Sequence, residues 1–184
     1  MREPEIKEAL SSYILSSPSS VDRYILEEVA LEGGDVRADL VNARDMHCYE
    51  IKSEADSLKR LIAQGSRYGK AFEKITLVTA DKHLEKALSV LPSWWGVMLV
   101  TESDKKKFKH VRRAKKNKAQ VSNVLVTLLK KDEAVKILDN LGMAKGWRSK
   151  SLYQIQEHIA ENLPLKDIKI YVRSALIDRA KLSC

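Results

Sequence analysis

The spacing of apolar residues changes from helical to strand-like within the first fifty residues. Apolar positions three and four apart predict an amphipathic helix over residues 3–15 and a second helix over 21–31. Alternating apolar and polar residues then predict a strand over 36–42, and a second strand is predicted over 47–53. The short polar turn between these two strands favours a hairpin.

Strands and helices alternate from residue 47 onward. The pattern predicts a helix over 56–72, a near-continuous apolar strand over 74–80, a helix over 81–91, a strand over 96–101 and an edge strand over 107–114. Strand–helix–strand order of this kind is typical of an α/β domain. We therefore expect a mixed β-sheet flanked by helices.

The chain after residue 119 has helical spacing only. Helices are predicted over 120–130, 132–141, 150–163 and 165–181. The sequence thus predicts two parts, an α/β domain over 1–118 and an all-helical C-terminal region over 119–184. The helical region is expected either to bind DNA or to form a cap that buries Leu138, Leu141, Leu152, Ile155 and Ile159.

Composition favours a cytoplasmic protein. The 184-residue chain is 44% hydrophobic and 32% charged, and no apolar run approaches the roughly 20 residues of a membrane span. The N-terminus lacks the apolar core of a signal peptide. Cys48 and Cys184 are far apart and are expected to be free thiols in a reducing compartment. The four histidines lack metal-ligand spacing, which argues against a zinc site.

The net charge of +8 is concentrated in one segment. Residues 1–102 carry more acidic than basic side chains, whereas the basic segment 103–118 carries nine Lys and Arg against one Asp. Such a segment binds phosphates without reading bases, so DNA is the expected partner. The alternative is a solvated, lysine-rich edge strand. The nine basic residues are Lys105, Lys106, Lys107, Lys109, Arg112, Arg113, Lys115, Lys116 and Lys118.

Three charged residues share one face of the predicted hairpin. Side chains alternate across a strand, so Glu50 and Lys52 lie on the same face, and strand pairing brings Asp39 near Glu50. Two adjacent carboxylates repel each other unless a cation lies between them. Oxygen ligands without histidine or thiolate favour Mg²⁺ or Mn²⁺, and Lys52 would then stabilise a metal-activated water and the charge on a phosphate. The alternative is a salt bridge on a solvated surface.

Further candidates flank this hairpin. Glu28, on the predicted helix before it, is a candidate third carboxylate ligand, or else a surface residue. Gln64 and Tyr68 lie four residues apart on the following helix and so share a face. Arg60 and Arg67 lie near that face, and side chains of these types bind phosphates or bases. An ordinary amphipathic helix explains the same four residues.

The order of these residues resembles the PD-(D/E)XK nuclease superfamily. Asp39, the Glu50-Ile51-Lys52 tripeptide and the Gln64-x-x-x-Tyr68 element are similar to its RecB-like branch. The stretches EEVALEGGDVRADLV, YEIKSEADSLKRL, ITLVTADKH and LPSWWGVMLV resemble a small bacterial and phage-borne family akin to MmcB-like DNA repair proteins. The resemblance covers roughly residues 1–115.

The resemblance implies a restriction-endonuclease-like core with a metal-dependent active site. It assigns metal binding to Asp39, Glu50 and Glu28, and catalysis to Lys52 together with Asp39 and Glu50. The matching glutamine–tyrosine pair, with the two nearby arginines, would position substrate. Two features depart from the superfamily pattern: Ala38 stands where proline is frequent, and no strand is recognisable before the metal-binding pair.

The helical region carries a second, fainter resemblance. EAVKILDNLGMAKGWRSKSLYQIQEHIAENL reads as helix, glycine-containing loop and helix, and it resembles the SAP-type DNA-binding unit. Phosphate contacts would come from Lys145, Arg148 and Lys150, with Trp147 stacking or packing beside them. A plain helical cap explains the same pattern.

Together these features predict an Mg²⁺- or Mn²⁺-dependent deoxyribonuclease acting in DNA repair, recombination or phage–host conflict. Two alternatives stay open. One is a DNA-binding module whose nuclease-like fold has weak or lost catalysis, and the other is an interaction subunit of a larger DNA-processing complex. A nuclease domain of this size is also expected to act with a partner or as a homodimer. No membrane contact is expected.

Overall fold

A computed structural model describes residues 2–16, 22–101 and 107–183, except for the side chains of Arg60 and Ile62. Six strands form one mixed sheet with helices on both faces. The elements are α1 Glu3–Leu15, β1 Ile25–Leu31, β2 Val36–Asn42, β3 His47–Lys52, α2 Lys59–Ala71, β4 Lys74–Thr79, α3 Leu84–Val90, β5 Gly96–Val100, β6 Phe108–Arg112, α4 Ser122–Leu125, α5 Lys131–Asn140, α6 Leu152–Asn162 and α7 Leu165–Leu182.

The strands lie side by side in the order of the chain, from β1 to β6. β1, β2 and β3 form an antiparallel meander, and β4 and β5 then run parallel to β3 because helices α2 and α3 return the chain. β6 closes the sheet as an antiparallel edge strand. The expected α/β class, with a mixed sheet and a helical C-terminal region, is confirmed.

The predicted helix over 21–31 is wrong, because Ile25–Leu31 forms strand β1. Glu28 has a positive φ of 52°, in the left-handed region, and this interrupts the alternation of the strand. As a result Leu26 and Val29, three residues apart, are both buried in the same hydrophobic cluster. That spacing imitates the helical period. For the same reason, the strand that precedes the β2–β3 hairpin is not recognisable from the sequence.

Different helices pack against the two faces of the sheet. Helix α1 packs Ile6, Leu10 and Ile14 onto one face, in a cluster with Tyr49 and Ile51 of β3. On the other face α2 contributes residues such as Leu61, Tyr68, Ala71 and Phe72 to a larger cluster. The hairpin therefore lies between α1 and α2, and side chains on either of its faces are held by a helix.

The C-terminal helices join the larger cluster and do not form a separate core. Leu125, Leu138, Ile155 and Leu176 are buried together with the β1 residue Val29. Of the residues expected in a helical cap, Leu138, Ile155 and Ile159 are fully buried, and Leu141 and Leu152 are partly buried against the cluster. No helix in the described ranges is both long and apolar enough to cross a bilayer.

Polar contacts fix the connection between the two parts. Asn117 donates from Nδ2 to the carbonyl oxygen of Gly69, at 2.5 Å, near the end of α2. Gln120 donates to the carbonyl oxygen of Phe72, at 2.8 Å. These buried amides satisfy backbone carbonyls that the end of α2 leaves without helical partners. The region over 119–184 is thus anchored to α2 at the point where it begins.

Two glycines of α2 give opposite expectations. A Cβ at Gly69 would lie 3.5 Å from Trp94, an ordinary contact, so Gly69→Ala should raise the free energy of unfolding by about 1 kcal/mol through helix propensity. A Cβ at Gly65 would lie 3.0 Å from the ring of buried Trp95, so Gly65→Ala should lower the free energy of unfolding by about 1 kcal/mol. Urea denaturation measures both, and equal effects would contradict this packing.

Candidate functional site

The hairpin register brings two carboxylates across from each other. Leu40 pairs with Tyr49, so the next position places Asp39 opposite Glu50. The Asp39 Oδ2 atom accepts a hydrogen bond from the backbone N–H of Ile51 at 2.6 Å. This bond fixes the Asp39 side chain against β3. The continued register and the effect of the Glu50 charge on Asp39 both place the two carboxylates near each other.

Glu50 is a buried carboxylate with two partners. It is 3% exposed, and its Oε1 accepts a hydrogen bond from Lys52 Nζ at 2.8 Å. The hydroxyl of Tyr68 lies 2.8 Å from Glu50 Oε2 and 2.9 Å from the carbonyl oxygen of Arg37. Because Tyr68 itself is buried, its hydroxyl orients Glu50 and is not presented to solvent.

A second group of carboxylates lies beside this pair. Ligand oxygens of Glu3, Glu28 and Asp39 all lie within 4.8 Å of one another, and this group does not include Glu50. Glu28 lies across from Asp39 in the β1–β2 register, and Glu3 comes from the first turn of α1. Sequence reasoning did not identify Glu3, because its place here depends on how α1 packs across the sheet.

Two cations already contact this carboxylate group. Lys7 of α1 forms an ion pair with Glu28, and Arg37 Nη1 lies 3.7 Å from the other Glu28 oxygen. Despite burial, which lowers it, the pKa of Lys7 is raised by its bond to Glu28 and by the charges of Asp39 and Glu3. The site is therefore strongly negative around Asp39 and partly compensated around Glu28.

Ionising Asp39 is unfavourable in this environment. Burial, followed by the charge of Glu50, raises the pKa of Asp39 to about 7, although the Ile51 N–H bond and Lys52 oppose the shift. Burial lowers the pKa of Lys52, but the charge and hydrogen bond of Glu50, with the charge of Asp39, outweigh it and leave this pKa raised. Near neutral pH the lysine is charged and Asp39 is half protonated.

The donor set fits a hard divalent cation. Glu3, Glu28 and Asp39 supply only carboxylate oxygens, the ligands that Mg²⁺ and Mn²⁺ prefer. The raised pKa of Asp39 reflects an electrostatic cost that a bound cation would remove. Glu50 has both oxygens engaged by Lys52 and Tyr68, so its clearer role in this geometry is to hold the ammonium group in place.

Removing the Asp39 charge should stabilise the metal-free protein in a pH-dependent way. Asp39 is uncharged in the folded state up to pH values near 7, whereas an unfolded aspartate ionises near 3.9. Wild-type stability should therefore fall as the pH rises from about 4 to 7. Asp39→Asn should be more stable by about 2 kcal/mol at pH 8, with little difference near pH 4.

Urea denaturation in EDTA at both pH values measures this difference. Asp35→Asn is the matched control, since Asp35 is exposed. An Asp39→Asn variant that gains no stability at pH 8 would contradict the unfavourable carboxylate environment.

The other substrate-positioning candidates of α2 differ in their contacts. Arg67 forms an ion pair with Glu32, with 3.1 Å between its Nε and Glu32 Oε2. Gln64 is half-buried, and its amide makes no hydrogen bond to the residues that the structure describes. The side chain of Arg60 lies outside the described residues. Gln64 is therefore better placed than Arg67 to bind a further group.

The basic segment lies at the opposite edge of the sheet from β1. Arg112 bonds to the carbonyl oxygens of Trp95, at 2.7 Å, and Pro92, and Lys116 pairs with Glu73. Lys105 and Lys106 lie outside the described residues. Four strand spacings separate β2 from β6, or about 19 Å. The exposed basic residues of the described segment are Lys107, Lys109, Arg113, Lys115, Lys116 and Lys118.

The candidate phosphate-binding residues of the helical region are exposed. Lys145 and Lys150 face solvent, and exposed Arg148 forms an ion pair with Asp139. Trp147 stacks on His158 of α6, with ring centroids 3.7 Å apart and an interplanar angle of 11°. The indole therefore packs within the helical region, as expected of a cap, and both lysines remain available to an anion.

Comparison with known proteins adds a family to this geometry. The family model described as bacteriophage P4 protein cII matches residues 1–183. The chain belongs to this cII family. The family model spans the sheet and all the C-terminal helices that the structure describes. The α/β part and the helical region of this chain therefore both belong to the family match.

One relative of this cII chain is protein cII of Enterobacteria phage P4, which is 29% identical over 182 residues. The aligned region covers 97% of this chain and 68% of the P4 protein. Among solved structures, the SPO1766 protein of unknown function from Silicibacter pomeroyi is 17% identical and gives a TM-score of 0.38. That match covers 66% of this chain and 81% of the Silicibacter protein. The names of these proteins state no activity, and the nuclease resemblance stays a prediction.

Proposed function

We propose that this cII-family chain is a metal-dependent deoxyribonuclease that hydrolyses phosphodiester bonds in the cytosol. The observation that carries the proposal is the carboxylate group of Glu3, Glu28 and Asp39 beside the buried Glu50–Lys52 pair. Its biological context would be DNA repair, recombination or phage–host conflict. The proposal combines this geometry with the sequence resemblance to PD-(D/E)XK nucleases.

Each charged group has a chemical task in this proposal. Asp39, Glu28 and Glu3 would hold Mg²⁺ or Mn²⁺, which when bound supplies Lewis acidity and a more acidic water. Lys52 keeps its charge at neutral pH and is partly accessible, with 16% of its side chain exposed. Its ammonium can donate to a phosphate oxygen as negative charge builds there. Glu50 and Tyr68 hold that ammonium in position.

DNA binding would rely on the exposed basic residues. Lys107, Lys109 and Arg113 lie about 19 Å across the sheet from the carboxylates, a span of about six nucleotides at 3.4 Å per step. Backbone contacts of this kind orient a nucleic acid without specifying its sequence. Affinity should therefore fall steeply with salt, whatever the base composition.

Cleavage of a substrate panel tests the proposal. Circular duplex, linear duplex, single-stranded and branched DNA, with RNA, are incubated with Mg²⁺, Mn²⁺ or EDTA, using wild type, Asp39→Asn and the control Asp35→Asn. We expect cleavage of DNA with either metal, none in EDTA, and loss only in Asp39→Asn. Absence of cleavage under every condition, or cleavage by both variants alike, would refute the nuclease.

One observation favours a second candidate, a DNA-binding module without cleavage. Lys7 neutralises Glu28 and Lys52 neutralises Glu50, so half of the four carboxylates are compensated without a metal. Such a protein would bind DNA equally in EDTA and in Mg²⁺, with the same steep salt dependence. Binding measured in both buffers, together with the cleavage panel, separates the two candidates.

A further inference from the structure

A large groove runs along the free edge of the sheet. Its volume is about 1130 Å³, and one wall is the β1 segment from Leu26 to Ala30. The facing wall is formed by residues of α4, of the segment that follows α4, and of α6. A bond from the backbone N–H of Glu32 to Thr127 Oγ1, 3.0 Å long, joins the two walls near the end of β1.

The β1 wall presents unused backbone groups. Among the strands that the structure describes, β1 is the first in the sheet order and pairs only with β2. In the described part of the chain, no backbone hydrogen bond joins Leu26–Ala30 to anything outside that ladder. An edge with free N–H and C=O groups is a template for another strand, and the left-handed φ of Glu28 divides this edge into two short stretches. Here the groove shields that edge but leaves room beside it.

The groove is acidic although the protein is basic. Five glutamates line it against two basic residues, in a chain whose net charge is +8, although Glu28 already pairs with Lys7 and Glu32 with Arg67. One of the two, Arg179, already makes a two-pronged ion pair with Glu133, at 2.8 and 2.6 Å. Glu27, Glu157 and Glu161 are exposed, and the last two are four residues apart on one face of α6. This lining repels a nucleic acid and attracts a cationic ligand.

The floor of the groove is apolar. Leu26, Val124 and Leu128 line it, and all three are buried members of the larger hydrophobic cluster. Tyr153, whose side chain is 69% exposed, also borders the groove. A ligand that fits must therefore combine an extended backbone for β1, apolar side chains for the floor and positive charges for the rim.

We propose that this groove binds an extended basic segment of a partner protein, which adds a seventh strand to the edge of β1. Side chains of a strand alternate in direction, so apolar residues would enter the floor while lysines or arginines contact Glu27, Glu157 and Glu161. The main-chain bonds supply affinity, and the charges select the partner. This inference concerns binding alone and does not depend on nuclease activity.

Fluorescence anisotropy with labelled nine-residue peptides tests the proposal. A peptide of alternating lysine and valine is the probe, and alternating glutamate and valine is its charge control. A third peptide carries N-methyl groups on alternate residues of the lysine–valine sequence, which removes one row of strand donors. We expect the lysine–valine peptide to bind, the glutamate–valine peptide not to bind, and the N-methylated peptide to bind about tenfold more weakly than the first.

Charge-reversal variants locate the binding site. Changing Glu27, Glu157 and Glu161 together to lysine should weaken binding about tenfold, since three exposed charge contacts each contribute modestly. The matched control changes three exposed glutamates outside the groove, Glu8, Glu54 and Glu85, to lysine. The control variant changes the net charge by the same amount as the groove variant. Its affinity for the lysine–valine peptide should lie within about twofold of that of the wild type.

Several results would overturn the proposal. These are absence of binding by the lysine–valine peptide, equal weakening in both triple variants, and no loss on N-methylation. A labelled single-stranded oligonucleotide whose binding is weakened by the groove variant and not by the control variant would show that nucleic acid is the ligand. Sedimentation of the unliganded protein checks for a second copy, and a dimer that the groove variant alone disrupts would assign the groove to self-association.

Discussion

Replacing Lys52 with methionine should lower metal-dependent DNA cleavage by about 10²- to 10³-fold. Methionine keeps the apolar stem but removes the ammonium, which lies 2.8 Å from Glu50 Oε1 and faces the carboxylates. The loss should appear in the single-turnover rate at saturating metal, because the charge is needed when the phosphate reacts. DNA affinity should change little, since in the proposed function the exposed basic residues would supply most phosphate contacts.

A structural effect of the same change must be separated from a catalytic one. Without Lys52 the buried Glu50 loses its cation, which by itself costs stability. The double variant Lys52→Met with Glu50→Gln removes both charges and retains a group that Tyr68 can bond. It should fold and remain inactive, while Lys86→Met, on an exposed helix position, should cleave normally. A folded Lys52→Met protein with wild-type cleavage would reject the catalytic lysine.

Gly96→Ala should lower the free energy of unfolding by about 3 kcal/mol, the largest stability effect expected of a single methyl group here. A Cβ at this position would lie 2.4 Å from Thr76 Oγ1 and 2.9 Å from the backbone nitrogen of Ala114. Gly96 pairs with Thr76 across β4 and β5, and the contact with Ala114 is to its backbone, so neither clash is relieved by the flexible end of a long side chain. Urea denaturation measures the loss.

A double-variant cycle identifies the cause of that loss. The Thr76 hydroxyl lies 2.8 Å from His47 Nε2, so Thr76→Ala alone carries its own cost. Combined with Gly96→Ala, however, it removes the closest clash and leaves the one with Ala114. The double variant should therefore be more stable than the sum of the single losses by about 1 kcal/mol. Simple additivity would mean that backbone conformation, and not this contact, makes glycine necessary.

Much of the fold followed from local patterns. β2 and β4 are predictable because β2 alternates over its first five residues and β4 is almost wholly apolar, as is typical of strands with one or two buried faces. The proximity of Asp39 and Glu50 followed from the hairpin, since a short turn fixes the antiparallel register. In each case the information lies within about fifteen residues of chain.

The parts that escaped prediction depend on distant contacts or unusual backbone. The sequence predicts a helix where β1 forms, because the left-handed φ of Glu28 shifts Leu26 and Val29 onto one face. Glu3 joins the carboxylates only because α1 crosses the sheet at a particular angle. Tyr68 was expected to position substrate, but the depth of its burial turns its hydroxyl to Glu50. Periodicity carries no signal for any of these.

The shared hydrophobic cluster has a consequence for synthesis on the ribosome. Leu31 of β1 is buried together with Val172 of α7, which is translated 141 residues later. At about 5–20 residues per second, the interval is about 7 to 28 s. During that time the nascent sheet exposes the apolar face that the last helices cover. A stop codon at residue 165 should therefore yield a product that aggregates. Loss of folded protein should then be as complete as with a stop codon much earlier in the reading frame.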